Sequence, residues 1–94
     1  MDRALTQEEK EKVINCGAFS YENERMAIVL DWETEEVDRM MKDKKSELYR
    51  LYNKGLMLSE YVLMTKLFEM AKSGDIKALD KLEQMQRKIK DRKK

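Results

Sequence analysis

The sequence predicts an all-α fold, and three observations lead to that prediction. The 94 residues include no proline and only three glycines. Charged residues make up 41% of the chain and apolar residues another 41%, a balance that is typical of helices rather than of a sheet. Apolar residues also recur at steps of three and four positions between Leu48 and Met70, as they do on one face of a helix.

Two helices are predicted before Asp31. The segment from Thr6 to Glu9 has the spacing of a capping box, in which a hydroxyl and a carboxylate each accept a hydrogen bond from a backbone N–H at the helix start. The helix that begins there is expected to end at Gly17. Ser20 is the expected N-cap of a second helix, from about residue 21 to Leu30, with acidic residues in its first turn.

A short third helix and a long fourth helix follow. Thr34 is the expected N-cap of the third helix, residues 35–42. The fourth helix is predicted from Lys45 to Lys72, and at about 1.5 Å per residue it would be about 42 Å long if it were unbroken. Gly55 lies in its middle and costs about 1 kcal/mol relative to alanine. A kink or a break is therefore expected at this glycine.

The C-terminal helix is predicted to pack along one narrow apolar seam. Gly74 ends the long helix, and Asp75 is the expected N-cap of the last one. The residues of the seam are Ile76, Leu79, Leu82, Met85 and Ile89. Its neighbour is either the preceding helix, folded back as a hairpin, or another subunit. The segment after Ile89, residues 90–94, is expected to be frayed and solvated.

The net charge of +1 conceals an uneven distribution. Through Asp43 there are twelve acidic and six basic residues, a net charge of −6, and from Lys44 onward there are fourteen basic and seven acidic residues, a net charge of +7. The sequence is therefore divided into an acidic N-terminal region, residues 1–43, and a basic helical region for oligomerisation, residues 44–94, within one compact unit. No apolar run approaches the roughly 18 residues of a membrane span, and no N-terminal signal pattern is present, so no membrane partner is expected.

The residue types argue against catalysis. The chain has no histidine and a single cysteine, Cys16, which excludes a histidine triad, a zinc knuckle and a disulfide framework. The carboxylates are expected at helix caps and on polar helix faces, without an apolar pocket to shift a pKa. Gly74 stands alone, so there is no glycine-rich phosphate loop. We therefore expect a protein that is not an enzyme, with no catalytic residue, no metal and no cofactor.

The segment from Met26 to Met41 has the residue pattern of a helix-turn-helix unit. In such a unit a small residue on the first helix lets the second helix cross over it, and apolar residues close the angle between the helices. Asp31 occupies the turn position, where positive φ is needed and where aspartate is better tolerated than most residues. The expected core of the unit consists of Ala27, Leu30, Trp32, Val37 and Met40.

Motifs further along the chain extend this pattern. A Tyr-x-x-Gly step from Tyr52 to Gly55 is followed by a helix that ends in Ala-Lys-Ser-Gly-Asp-Ile-Lys-Ala-Leu, residues 71–79. In this order of elements, over about residues 13–86, the sequence resembles the small terminase subunits of tailed bacteriophages and related prophage DNA-packaging proteins. The resemblance implies a protein that recognises viral double-stranded DNA, assembles into rings and recruits a large terminase subunit, an ATPase and nuclease, in the cytoplasm of a bacterial host.

The second helix of the unit departs from this resemblance in its charge. Its exposed face carries Glu33, Glu35, Glu36 and Asp38, and carboxylates that face the phosphates of a DNA groove are repelled. If the chain binds DNA, we expect the contacts to be made by other residues, which are Arg39, Lys42, Lys44, Lys45, Arg50 and Lys54. The tail, residues 87–94, is an alternative. The same bases are also explained by a solvated helix face and a solubilising tail.

A homo-oligomer is expected from the size of the apolar faces. A chain of this length buries only about 60% of its unfolded surface, and the N-terminal helices are too short to cover the C-terminal apolar faces. The candidate contact residues are Leu63, Leu67, Ile76, Leu79, Leu82 and Met85. Two other functions remain open. One is a protein–protein interaction module without DNA binding, and the other is a small transcriptional regulator that forms dimers through its C-terminal hairpin.

Overall fold

The structure is a computed structural model and describes residues 3–92. Five α-helices make up most of these residues. They are α1 (Gln7–Ala18), α2 (Asn23–Leu30), α3 (Thr34–Lys42), α4 (Glu47–Lys72) and α5 (Ile76–Arg92). No strand occurs among residues 3–92. The prediction of an all-α fold is therefore confirmed.

The helices form two units, Met1–Ser59 and Glu60–Lys94. The first unit contains α1, α2, α3 and the first part of α4, and the second contains the rest of α4 and α5. The change of charge at Asp43 therefore lies inside the first unit and does not coincide with the boundary between the two units.

The start of α1 is fixed by the predicted capping box. The backbone N–H of Glu9 donates to the Thr6 hydroxyl over 3.1 Å, and the backbone N–H of Thr6 donates to the Glu9 carboxylate over 2.9 Å. The helix runs through Gly17 and ends at Ala18, so the expectation that Gly17 ends it is wrong. Gly17 is instead buried where α1 packs against α4.

Gly17 and Gly55 form the point at which α1 and α4 cross. A Cβ atom added to Gly17 would overlap the carbonyl oxygen of Tyr52. One added to Gly55 would overlap the carbonyl oxygen of Ile14. The two backbones are therefore in direct contact, because neither glycine has a side chain to hold them apart. Since α4 passes through Gly55 without interruption, the expectation of a break there is wrong.

The core of the first unit draws on all four of its helices. Its completely buried side chains are Val13, Cys16, Met26, Val37, Met40 and Leu48. Ser46 is also buried; its hydroxyl donates to the Met40 carbonyl over 2.6 Å and accepts from the Tyr49 N–H over 3.1 Å, so it caps the start of α4. The Tyr52 hydroxyl donates to the Tyr21 carbonyl over 2.7 Å, which ties α4 to the connection between α1 and α2.

Two helix starts differ from the prediction. Ser20 has φ 57° and lies in the left-handed region just after α1, so it is not the N-cap of α2. That helix begins after Glu22, whose side chain makes no capping hydrogen bond. Thr34 is itself the first residue of α3, with Glu33 in the N-cap position. The predicted caps at Ser20 and Thr34 are therefore both wrong.

The second unit begins α5 with the predicted turn. Gly74 has φ 98°, a conformation that glycine adopts without strain. The Asp75 carboxylate then accepts a hydrogen bond from the Ala78 N–H over 3.1 Å, as an N-cap does. The turn and cap that the sequence predicts at these residues are therefore confirmed.

α5 extends further than the sequence predicts. The helix continues to Arg92, so the expectation of fraying is wrong for residues 90–92. Residues 93–94 lie outside the described part of the chain. The Arg92 guanidinium forms an ion pair of 2.8 Å with Glu60 on α4. This ion pair holds the last turn of α5 against α4.

The packed side of α5 also differs from the predicted seam. Ala78 and Leu82 are buried, whereas Ile76 is 74% exposed and Leu79 is 43% exposed. Steps of three residues advance by about 300° in a helix of about 3.6 residues per turn, so a seam built mainly from such steps drifts around the axis. Its first two members have therefore left the packed side.

Replacing Gly17 with alanine should destabilise the first unit. Overpacking costs about 1–3 kcal/mol, and the upper end applies because the added methyl group meets backbone rather than a flexible side chain. Alanine recovers about 1 kcal/mol through its helix propensity. We therefore expect a net loss of about 2 kcal/mol in the free energy of unfolding, measured by urea denaturation followed by far-UV circular dichroism.

Gly55→Ala should have an effect of similar size, because a methyl group on α4 would overlap the backbone of α1 at the same contact. The matched control is Met57→Ala on the exposed side of α4, which should stay within about 0.5 kcal/mol of the wild type. Wild-type stability of both glycine variants would contradict the direct contact of the backbones.

Candidate nucleic-acid interface

The connection between α2 and α3 is a tight turn built on Asp31. This residue has φ 60° and ψ 44°, in the left-handed region, which aspartate reaches more readily than most residues. The Trp32 N–H donates to the Ala27 carbonyl over 2.9 Å and so closes the end of α2. The two helices pack against each other on either side of this turn.

The five residues predicted for the core of this two-helix unit are all buried. Their exposed fractions are 2% for Ala27, 6% for Leu30, 8% for Trp32, 0% for Val37 and 1% for Met40. The structure brings them together in one cluster with residues of α1 and α4. Ala27 ends at its Cβ atom, so it leaves room for a close approach of α3.

Trp32 joins the turn to α1 and to the N-terminal segment. Its indole N–H donates to the Glu9 carboxylate over 2.9 Å. The Arg3 guanidinium lies 4.4 Å from the centroid of the Trp32 ring, a cation–π contact, and also pairs with Glu36 on α3 at 2.8 Å. Arg3 thus bridges the turn and α3, a role that nothing in the local sequence pattern indicates.

Glu9 accepts hydrogen bonds from its own helix cap and from the turn. The backbone N–H of Thr6 and the indole N–H of Trp32 together hold the pKa of the Glu9 carboxyl below its ordinary value of 4.5, although partial burial acts in the opposite direction. The donors lower the pKa because they interact more strongly with the carboxylate than with the neutral acid. The charged form of Glu9 therefore fastens the start of α1 to the turn.

The acidic face of α3 is partly neutralised within the first unit. Glu36 pairs with Arg3 at 2.8 Å and lies 4.0 Å from Arg39. Asp38 accepts a hydrogen bond from the side-chain amide of Asn23 on α2 over 2.9 Å. Two of the four carboxylates that the sequence places on this face are therefore engaged in contacts with the protein itself.

The two ends of α3 differ in charge. Glu33 and Glu35 are exposed at its start, and Arg39 and Lys42 are exposed in its last turn. Acidic residues at the start of a helix and basic residues at its end interact favourably with the helix dipole, so this distribution stabilises α3. A phosphate is repelled at the start of the helix and attracted at its end.

The six candidate DNA-binding residues occupy the end of α3, the connection to α4 and the first half of α4. All of them are exposed: Arg39, Lys42, Lys44, Lys45, Arg50 and Lys54. The connection is held in place because the Lys45 N–H donates to the Asp43 carboxylate over 2.9 Å and Ser46 caps α4. The sequence interpretation missed Ser46, although a serine directly before a helical apolar pattern is a usual N-cap signal.

Two side chains of the first unit with reactive groups are shielded from solvent, since Cys16 is buried and Tyr52 is half-buried. Cys16 is 1% exposed, and burial raises the pKa of its thiol, which disfavours the nucleophilic thiolate. Burial also raises the pKa of the Tyr52 hydroxyl, with a further contribution from Cys16. Within residues 3–92, histidine, cysteine, aspartate and glutamate form no group of three or more that is arranged to hold a metal ion.

The residues predicted for oligomerisation divide between the surface and the interior of the second unit. Leu63, Ile76 and Leu79 are 46%, 74% and 43% exposed, Leu67 and Met85 are half-buried, and Leu82 is 7% exposed. Other exposed apolar side chains of the unit were not among the predicted residues: Tyr61, Val62, Phe68 and Met70. Exposed apolar surface of this extent is typical of an interaction surface.

An open apolar groove lies between α4 and α5 in the second unit. It has a volume of about 380 Å³ and is lined by Tyr61, Met64, Thr65, Phe68, Leu82 and Gln86. The Lys72 ammonium lies 4.8 Å from the centre of the Phe68 ring and pairs with Glu69 at 3.3 Å. Leu82 packs inside the second unit, since it is only 7% exposed. Of the residues predicted for oligomerisation, Leu63, Ile76 and Leu79 remain the most accessible to a partner.

Comparisons with known proteins do not extend these observations. No protein-family model matches the sequence, and no curated protein or solved structure matches it significantly. Within the described residues, no helix has the length and apolar composition needed to cross a membrane. What the protein does is therefore inferred from its own residues.

Replacing Glu9 with glutamine should lower stability at neutral pH by about 1 kcal/mol, the value of a typical hydrogen bond. Because the pKa of Glu9 is lower in the folded state, its stabilising effect is present above the ordinary carboxyl pKa and is lost as the pH falls through the folded-state value. The difference in free energy of unfolding between wild type and variant should therefore shrink as the pH falls below 4.5. Urea denaturation at neutral and acidic pH measures this difference.

The matched control for this experiment is Glu8→Gln. Glu8 is a 78% exposed side chain that pairs with Lys12 at 3.3 Å, and exposed ion pairs of this kind contribute little. A Glu9→Gln effect that stays constant across the pH range would contradict the role assigned to the Glu9 charge.

Proposed function

We propose that this protein is a non-enzymatic DNA-recognition and assembly factor of the small terminase type, acting in viral genome packaging. The observation that carries the proposal is the α2–α3 unit, with Asp31 in the left-handed conformation and the small Ala27 buried beneath the turn. These features are typical of a helix-turn-helix that positions its second helix for DNA. The order of the later elements, α4, the turn at Gly74 and α5, supports the resemblance to small terminase subunits.

DNA contacts the end of α3 and the residues that follow it, rather than the start of α3. Two acidic residues lie among these bases, and both make contacts within the protein. Asp43 accepts a hydrogen bond from the Lys45 N–H, and Glu47 lies 3.7 Å from the Lys10 ammonium. All six bases face solvent. Arg39 has a carboxylate partner, Glu36 at 4.0 Å, and the other five form no salt bridge within residues 3–92. Lysine and arginine in this arrangement bind phosphates and position the protein on the duplex.

Assembly of several copies is assigned to the second unit. Leu63, Ile76 and Leu79 are exposed there together with other apolar side chains, and burying them against further copies is favourable by about 25 cal/mol per Å² of apolar surface. By resemblance, the assembled protein recruits a large terminase subunit in the cytoplasm of a bacterial host.

A protein–protein interaction module is the second candidate function. It is favoured by the exposed carboxylates of Glu33 and Glu35 at the start of α3, the end from which a recognition helix normally contacts base edges. A basic protein surface would suit these carboxylates better than DNA. Binding to duplex DNA distinguishes the two functions, and the size of the assembly distinguishes both from a dimeric transcriptional regulator.

Under the DNA proposal, Lys44→Glu plus Lys45→Glu should abolish binding to duplex DNA, because it replaces two phosphate contacts with two repulsive charges. Fluorescence anisotropy of a labelled duplex, titrated at several salt concentrations, measures the effect. Glu35→Ala should not weaken binding. The matched control is Lys12→Glu plus Lys66→Glu, which has the same total charge and should retain binding. If the wild type does not bind duplex DNA at low salt, the DNA proposal fails and the interaction module is preferred.

Assembly should depend on the exposed apolar side chains of the second unit. Leu63→Asp plus Leu79→Asp places charges on that surface, so the mass measured by light scattering should fall to that of the 11.3 kDa monomer. The matched control is Ile28→Asp on the exposed surface of the first unit, which should keep the wild-type assembly. A wild type that is itself monomeric at micromolar concentration would contradict the assignment.

A further inference from the structure

One face of α5 carries a stripe of polar and basic side chains outside the site described above. It consists of Lys77, Lys81, Gln84 and Lys88, all of which are exposed. These four residues lie within about 60° of one another around the helix axis, and the stripe extends over about 17 Å at 1.5 Å per residue. We refer to these four residues as the lysine stripe.

The other faces of α5 have different compositions. The packed face contains the buried Ala78 and Leu82. The remaining face contains the acidic residues Asp80, Glu83 and Asp91, and its two bases are Arg87 and Lys90. Within the stripe itself, by contrast, every charged residue is a lysine, so the basic residues of α5 are not spread evenly around the helix.

The lysines of the stripe are not neutralised by the protein. Among residues 3–92, none of Lys77, Lys81 and Lys88 forms a salt bridge. Lys72 and Arg92 in the same unit do pair, with Glu69 and Glu60. Like charges four residues apart destabilise a helix by a few tenths of a kcal/mol. The stripe is therefore electrostatically unfavourable in the isolated protein and becomes favourable against a polyanion.

We propose that the lysine stripe binds the phosphate backbone of duplex DNA, as a second contact that is separate from the bases between Arg39 and Lys54. Lys77 and Lys81 are about 6 Å apart along the axis, and Gln84 and Lys88 follow at steps of about 4.5 and 6 Å. A DNA strand presents a phosphate about every 3.4 Å of helix axis, so each side chain can reach one. The Gln84 amide adds an uncharged donor of the kind that also binds phosphate oxygens.

The surroundings of the stripe favour DNA over other anionic partners. A helix that lies on a membrane inserts its apolar face into the lipid, but the apolar face of α5 is already packed in the second unit, with Leu82 only 7% exposed. Protein interfaces are usually anchored by buried aromatic or apolar side chains, and the stripe contains none. An extended row of positive charge without an apolar anchor is suited to a phosphate backbone.

The test compares two triple variants of the full chain with equal charge. Lys77→Gln plus Lys81→Gln plus Lys88→Gln removes the stripe. Lys12→Gln plus Lys66→Gln plus Lys72→Gln removes three bases that lie outside the stripe, the tail and the bases between Arg39 and Lys54. Affinity for a labelled duplex is measured by fluorescence anisotropy between low and physiological salt. Removing three phosphate contacts should reduce the slope of log K against log salt concentration by about 2.7, and the control variant should keep the wild-type slope.

Three results would overturn the proposal: no duplex binding by the wild type, an unchanged slope in the stripe variant, or an equal reduction in both triple variants. A further arm uses vesicles that contain phosphatidylserine, measured by co-sedimentation. Stripe-dependent binding to vesicles with unchanged binding to DNA would also overturn it. The stripe proposal rests on the DNA-binding function proposed above, and the two fail in different ways. A wild type that does not bind duplex DNA rejects both, whereas wild-type binding with an unchanged salt slope in the stripe variant rejects the stripe alone.

Discussion

The contact between the backbones of α1 and α4 at Gly17 and Gly55 is the constraint on which the first unit depends. It allows Val13 and Cys16 of α1 to share a core with Leu48 of α4, and α2 and α3 pack onto that core. A side chain at either glycine would move the helices apart, and a gap left in a close-packed core is costly. The turn at Asp31 is placed against the same core, so the crossing also determines the geometry of the candidate DNA-binding surface.

Local features of the fold could be predicted from the sequence, and long-range ones could not. The capping box at Thr6 and Glu9, the turn at Gly74 and the αL residue Asp31 each follow from a few neighbouring residues, and the structure contains all three. Local propensity predicts a helix end at Gly17 and a kink or a break at Gly55. Their actual role depends on a helix that is distant in the sequence, and propensity carries no information about such a neighbour. The buried face of α5 was misjudged for a related reason, since repeated steps of three residues do not stay on one side of a helix.

In the candidate site, the sequence shows which residues are charged, but only the structure shows which of these charges are paired. Counting charges along the sequence makes α3 acidic, but the count does not show that Glu36 is bound to Arg3 or that Asp38 is bound to Asn23. It also does not show that the bases after α3 stand on a connection fixed by Ser46. The electrostatic character of a surface depends on which charges remain unpaired after folding. The exposed bases could therefore be named from the sequence, whereas it could not show which of them lack a carboxylate partner.

Trp32 is the single tryptophan of the chain, and its position has a spectroscopic consequence. The indole is almost fully buried, donates to Glu9 and lies against the guanidinium of Arg3. Its intrinsic fluorescence therefore originates in the first unit alone and responds to the hydration and charge around the turn between α2 and α3. The fluorescence of Trp32 can therefore be used to monitor that turn without an attached dye. It can be recorded while DNA or further copies of the chain are added.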